Sequence, residues 1–152
     1  MPRDADDDDE LFRSLGKVVH NATQLEETVL VLVWELSGDK RVGHAMTPPQ
    51  TSFGRLLEVA ERLVQHRHPD AATSFKAWRK KAETVMRRRN DLVHSWWHSH
   101  PSLGRLRTKP LRATFTFAHS PSDWRQHHAV AAKLTAVRSE LLALVEEFGL
   151  ID

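Results

Sequence analysis

The sequence predicts an all-α protein: a four-helix bundle with a short β-hairpin between the third and fourth helices. In four long stretches apolar residues recur every three to four positions, which is the spacing of one buried helix face. Between the third and fourth stretches, apolar and polar residues alternate instead, as they do in a strand. Amphipathic helices in this number and order are typical of a helical bundle.

The first predicted helix runs from Leu11 to Ser37 and the second from about Ser52 to the residues before Pro69. Gly38 follows the first stretch directly and is a typical helix stop. The second helix should end before Pro69, because a residue that precedes proline avoids the helical conformation. The segment between the two helices, GDKRVGHAMTPPQTS, is rich in glycine and proline and is interpreted as a loop.

The third predicted helix begins near Asp70, whose side chain is a good N-cap, and continues to about His98. The stretch LGRLRTKPLRATFTF, residues 103–117, follows it and alternates polar with apolar side chains. The alternation is interrupted at residues 108–110, Thr-Lys-Pro, which we interpret as the turn of a basic hairpin.

The fourth predicted helix opens with Ser120 as its cap and Pro121 in its first turn, and it runs to about Phe148. A chain of 152 residues is one domain by its length. We expect residues 11–152 to form this single domain. Residues 1–10 are mostly acidic and are expected to be a disordered tail.

Charge is divided unevenly along the chain. Residues 1–10 carry six acids and one base, a net charge of −5, which leaves +7 on residues 11–152 out of the whole-chain +2. A body with this charge attracts polyanions such as nucleic acids, although basic side chains also serve simply to keep a surface soluble.

Composition narrows the class of protein further. The chain has no cysteine, which excludes disulfides, thiolate metal sites and a cysteine nucleophile. No apolar run approaches the length of a membrane span, and the acidic N-terminus does not resemble a secretory signal. We therefore expect a cytoplasmic protein without a membrane partner.

The stretch RRRNDLVHSWWHSH, residues 87–100, holds the side chains best suited to chemistry. Arginine is permanently charged and binds phosphate oxygens as a fork, whereas histidine takes up and releases protons near neutral pH. Together they are the minimum for metal-free cleavage of RNA, in which the attack needs the 2′-hydroxyl. On an ideal helix, however, Arg89 and His94 lie about 140° apart around the axis. Asn90 and His94 share one face.

Residues 89–94, RNDLVH, resemble the R-x4–6-H motif of the HEPN superfamily, in which a polar residue, here Asn90, often follows the arginine. The resemblance implies a metal-independent endoribonuclease, a toxin or defence effector that needs no cofactor and leaves 2′,3′-cyclic phosphate and 5′-hydroxyl ends. It implies a catalytic group in which His94 is the general acid or base and Arg89 binds the scissile phosphate, while Asn90 positions either of these residues or the phosphate by hydrogen bonding.

The resemblance also bears on partners. HEPN proteins commonly dimerise so that two motifs line one cleft, which would bring an arginine and a histidine together across a homodimer interface. Besides RNA, an antitoxin protein is an expected partner. Because the superfamily includes inactive members, the alternative is a non-catalytic module that binds nucleotide, RNA or an antitoxin. A purely structural dimerisation domain is a third interpretation.

Arg87, Arg88 and Trp97 are the candidate RNA-binding residues. The two arginines can hold phosphates, but the helix dipole also favours bases near a helix C-terminus for structural reasons alone. Trp97 is either a platform on which a base stacks or a dimer contact, whereas Trp96 falls on the apolar core face.

The remaining titratable residues receive structural interpretations. His94 and His98 have the spacing of a zinc-binding pair but lack a third ligand, so no metal site is expected. His127 and His128 are interpreted as surface residues. Glu26 and Glu27 could reach a basic cleft, but nothing in the sequence places them there.

Overall fold

The computed structural model describes residues 5–100, 104–111, 114, 116–121 and 124–151. These residues are mostly helical, and the helices among them are α1 (Ala5–Ser37), α2 (Lys40–Met46), α3 (Phe53–Arg67), α4 (Ala72–Val93) and α5 (Trp124–Phe148). Strands β1 (Trp96–His100), β2 (Gly104–Leu111) and β3 (Thr116–Pro121) lie between α4 and α5. No helix in the described ranges is long and apolar enough to cross a membrane.

Helix α1 is the central element of the helical packing, since it contacts α2, α3, α4 and α5. Its polar contacts to α5 join Ser14 Oγ to His127 Nδ1 at 2.9 Å and Thr28 Oγ1 to Arg138 Nε at 2.9 Å. The two helices therefore run parallel. Helix α4 packs against both α3 and α5 and brings the end of the predicted motif to the surface of this assembly.

The core is formed by the apolar faces of α1, α3, α4 and α5. Its largest fully buried side chains include Phe75, Leu25, Leu32, Leu36, Leu57, Leu134 and Leu141. Trp78 is also buried, and its Nε1 donates a hydrogen bond to the carbonyl of Val137 at 2.8 Å, which links α4 to α5. The helical spacing used to predict these four helices thus corresponds to the face that is buried.

Helix α1 begins earlier than predicted. Residues 5–10, expected to be part of a disordered tail, are helical, while residues 1–4 lie outside the described residues. Acidic side chains are favourable in the first turns of a helix because they face the positive end of its dipole. The helix ends where predicted, at Ser37, and Gly38 follows with a φ of 72°, a left-handed conformation that suits glycine.

The interpretation of residues 38–52 as a loop was wrong, because α2 forms inside this segment. Asp39 caps the helix by accepting a hydrogen bond from the Arg41 N–H at 2.7 Å. Trp34 of α1 stacks on His44 with ring centroids 4.4 Å apart. Gly43 is buried against α1, where a Cβ would lie 3.0 Å from the Trp34 Cα. A bundle of four helices is therefore too simple a description.

Helix α3 corresponds to the second predicted helix and confirms its bounds. Ser52 is the N-cap, and its Oγ accepts a hydrogen bond from the Arg55 N–H at 3.3 Å. The last helical residue is Arg67, two positions before Pro69. The predicted N-caps of the third and fourth predicted helices, which correspond to α4 and α5, were wrong. The N-cap position of α4 is held by Ala71 rather than Asp70, without a side-chain hydrogen bond, and Ser120 and Pro121 belong to β3.

Helix α4 ends at Val93 and not at His98, because the chain after it enters a small antiparallel sheet of order β1-β2-β3. Trp96 pairs with Thr108 and His100 with Gly104. The predicted hairpin, with its turn at residues 108–110, was wrong. These residues lie inside β2 and pair with β3.

Candidate functional site

Arg89 lies near the end of α4 beside a recess between α1, α3 and α4. The recess has a volume of about 410 Å³, and the residues that line it include Glu26 of α1, Ser52 and Phe53 at the start of α3, and Met86, Arg87, Arg89 and Asn90 of α4. It is large enough for a small ligand. We call it the Arg89 recess.

The guanidinium of Arg89 is held by its sequence neighbour. Nη1 donates a hydrogen bond to Oδ1 of Asn90 at 2.8 Å. Nε is buried and has no hydrogen-bond partner among the described residues. Asn90 therefore holds the guanidinium of Arg89 in place through Nη1.

Glu26 is the site residue that the sequence did not place. It lies half-buried on α1 and lines the Arg89 recess. Burial raises the pKa of the Glu26 carboxyl, while the positive charge of Arg89 acts in the opposite direction, and burial has the larger effect. Glu83 also lines the recess, but it forms a salt bridge with Arg79 at 2.8 Å. Glu26 is therefore the carboxylate that is electrostatically coupled to Arg89.

Replacing Glu26 by glutamine should stabilise the protein at neutral pH. Because folding raises the pKa of Glu26, the folded state binds more protons there than the unfolded state once the pH exceeds the unfolded pKa. Its contribution to stability is full below that pKa and is lost as the pH rises through the folded pKa. Thermal melts of Glu26→Gln should show a melting temperature above that of the parent at about pH 7, with the gain shrinking toward about pH 4.

The neighbouring Glu27 is exposed and provides a matched control. Glu27→Gln also removes one carboxylate, but from an exposed position, and should raise the melting temperature at neutral pH less than Glu26→Gln does. A Glu26→Gln protein that melts below the parent at neutral pH would show that the carboxylate stabilises the recess.

His94 forms the C-terminal cap of α4. Its backbone N–H donates to the carbonyl of Asn90 at 3.0 Å, and its side chain is exposed. It is not among the residues that line the Arg89 recess. His94 lies one position beyond the last helical residue, Val93. Within one chain Arg89 and Asn90 are hydrogen-bonded to each other, whereas the imidazole of His94 is exposed in the cap and does not line the recess.

The two candidate phosphate-binding arginines lie on different sides of α4. Arg87 lines the Arg89 recess, whereas Arg88 lines the space between α4 and α5. Both side chains are exposed, and neither forms an ion pair within the described ranges. They remain available for an anion, but they cannot both serve one small site on a single chain.

Trp97 is partly buried and packs against the helical core. Its ring meets the His127 ring edge to face, with centroids 4.8 Å apart. The interpretation of His127 as a surface residue was wrong, because it is fully buried and its Nδ1 lies 2.9 Å from Ser14 Oγ. His128 is partly exposed, and its Nε2 lies 2.9 Å from a carboxylate oxygen of Glu10.

Two further expectations fall outside the described residues. The side chain of Trp96, predicted to lie in the core, and that of His98, one member of the zinc-spaced pair, are not described. In the remaining parts of the chain, no three acidic or imidazole side chains lie close enough to hold a metal ion.

The protein is mostly helical, with a partly buried arginine, Arg89, beside a recess and an exposed imidazole, His94, at the C-terminal end of α4. No family model, no curated protein and no solved structure matches the chain. The resemblance to the HEPN superfamily therefore rests on residues 89–94 and on the helical character of the chain.

Proposed function

We propose that the protein is a metal-independent endoribonuclease of HEPN type that acts as a homodimer in the cytoplasm, in the manner of a toxin or defence effector. In this proposal the four long helices, α1, α3, α4 and α5, correspond to the four-helix bundle of the superfamily. The single observation that carries the proposal is the end of α4, where Arg89 is oriented by Asn90 and His94 is exposed five residues later.

The residues have defined roles in the proposed reaction. The imidazole of His94 takes the proton of the 2′-hydroxyl or gives one to the leaving 5′-oxygen. The 2′-oxygen attacks phosphorus and the bond from phosphorus to the 5′-oxygen breaks, which leaves a 2′,3′-cyclic phosphate and a 5′-hydroxyl. The guanidinium of Arg89 stabilises the negative charge that develops on the phosphate oxygens. The hydrogen bond from Arg89 Nη1 to Asn90 supports a positioning role for the amide.

A homodimer solves the geometric problem that one helix poses. Because five residues of an ideal helix would separate Arg89 and His94 by about 140°, and His94 does not line the Arg89 recess, a cleft that needs both is best formed by two copies. A twofold axis would place the arginine of one protomer opposite the histidine of its partner. The exposure of His94 supports this arrangement, since a partner can reach its imidazole.

Cleavage of bulk RNA tests the proposal directly. Purified protein should cleave single-stranded RNA in the presence of a chelator and should leave DNA of the same sequence intact. The products should carry 2′,3′-cyclic phosphate and 5′-hydroxyl ends. The proposal is wrong if RNA stays intact, if chelator stops the reaction, or if the products carry 5′-phosphates.

A non-catalytic module is the second candidate function, and one observation favours it. The side chain of Arg89 lines the Arg89 recess, while that of His94 does not. Such a recess could bind a nucleotide, RNA or an acidic segment of an antitoxin without turnover. Binding that Arg89→Ala weakens, that His94→Ala leaves unchanged and that produces no cleavage would favour this candidate.

A further inference from the structure

A groove runs between α4 and α5 on the other side of α4 from the Arg89 recess. It consists of two adjoining pockets of about 310 and 410 Å³, both lined by Arg88 and Lys133. Along α4 the groove extends from Lys80 to Leu92, a length of about 18 Å at 1.5 Å per residue. We call it the α4/α5 groove.

The side chains that line the α4/α5 groove are predominantly basic. Its basic residues are Lys80, Lys81, Arg88, Arg107 and Lys133, and its acidic residues are Asp91 and Glu140. Lys81 and Glu140 neutralise each other in a salt bridge of 2.7 Å. In contrast, Lys80, Arg88 and Lys133 are exposed and form no ion pair with any described residue. Three cations without an ion pair to a described residue therefore follow the groove.

The floor of the α4/α5 groove is apolar and belongs to the protein core. Val85 and Leu92 of α4 and Val130 and Val137 of α5 line it, and all four are buried. Volumes of about 310 and 410 Å³ are those of ligand-sized recesses, which suit an extended single strand better than a duplex. Cations along the rim suit a row of phosphates, while an apolar floor suits the less polar faces of sugars and bases.

The groove also reaches the proposed cleavage site. Asp91 lines its end and lies three residues before His94, the residue that caps α4. Arg88 precedes Arg89 directly. A strand that lay in the groove would therefore leave it within one helical turn of the exposed imidazole.

We propose that the α4/α5 groove is an exosite that binds the phosphate backbone of single-stranded RNA over several nucleotides beside the scissile bond. This inference rests on the proposed ribonuclease function. It defines the substrate as single-stranded RNA longer than the dinucleotide at the cleavage site, and it assigns Lys133 and Lys80 a binding role that the motif alone does not indicate.

Binding measurements on a protein that does not cleave test the exosite. In a His94→Ala background, the affinity for a labelled single strand of roughly 12 nucleotides should exceed that for a dinucleotide and for a duplex. Lys133→Glu should weaken binding of the long strand at least tenfold at about 0.1 M salt, and Lys133→Gln should weaken it less. The slope of log affinity against log salt should fall by about 0.7 for each cation removed.

Lys40→Glu is the matched control, because Lys40 is exposed on α2, which packs against α1. It should bind the long strand as the parent does. Equal affinity of Lys133→Glu and Lys40→Glu for the long strand would overturn the exosite, even if the parent cleaves RNA. An affinity for duplex as high as for the single strand would overturn it as well. Binding that depends on Lys133 without any cleavage by the parent would support the groove as a binding surface for single-stranded RNA and reject the ribonuclease.

Discussion

His94→Ala should cleave RNA on the order of 100- to 10,000-fold more slowly than the parent, because this is the usual cost of losing a general acid or base. The fold should not change. The imidazole is exposed, and the hydrogen bond that caps α4 uses the backbone N–H, which alanine retains. Initial rates on a labelled RNA, together with thermal melts of the same preparations, measure both expectations.

His66→Ala is a suitable control for the loss of an exposed histidine near a helix end. His66 lies in the last turn of α3 and is exposed. This variant should keep the rate of the parent. If His94→Ala also keeps that rate, His94 is not the acid or base of the reaction.

Arg89→Ala should lower cleavage by about 100- to 1,000-fold, the typical cost of losing a group that stabilises charge in the transition state. It should also lower the melting temperature at neutral pH. The charge of Arg89 opposes the effect of burial on the pKa of Glu26, so its removal leaves the half-buried carboxylate less compensated. Rates and thermal melts at about pH 7 should therefore both decrease.

The double variant Arg89→Ala/Glu26→Gln separates these two effects. Glutamine removes the uncompensated charge, so the melting temperature should recover toward that of the parent. Cleavage should stay low, because no guanidinium faces the phosphate. Recovery of cleavage in the double variant would mean that Arg89 only stabilises the recess.

The interiors of the long helices could be predicted from sequence because local spacing determines which face is buried. The end of α4 could not. The residues after Val93 keep an apolar pattern that a helix could continue, yet Trp96 begins a strand. The partner of this strand is β2, in which Thr108 pairs with Trp96. Strand pairing depends on a segment distant in sequence, which local periodicity does not contain.

The position of Pro110 misled the prediction of the hairpin for a related reason. Proline inside a strand usually argues for an edge or a turn, and β2 is the central strand. However, β1 pairs only as far as Thr108, and Pro110 is paired with Phe117 of β3 alone. At this point β2 is an edge strand, so proline removes no hydrogen bond to β1.

The candidate site was predictable only where its residues are close in sequence. Arg89, Asn90 and His94 are recognisable because they fall within six consecutive residues. Glu26 comes from α1, and its approach to Arg89 follows from the packing of α1, α3 and α4 around the recess.

The burial of His127 was predictable, because it precedes Val130 by three residues and Leu134 by seven on the buried face of α5.

Mixing two inactive variants tests the shared cleft most directly. Arg89→Ala and His94→Ala chains, unfolded together in equal amounts and refolded, should form mixed dimers in about half of the molecules. If each cleft takes its arginine from one protomer and its histidine from the partner, every mixed dimer keeps one intact cleft of two. The mixture should then recover about one quarter of the parent's cleavage rate. A mixture that contains mixed dimers but cleaves no faster than the separate variants would contradict the shared cleft.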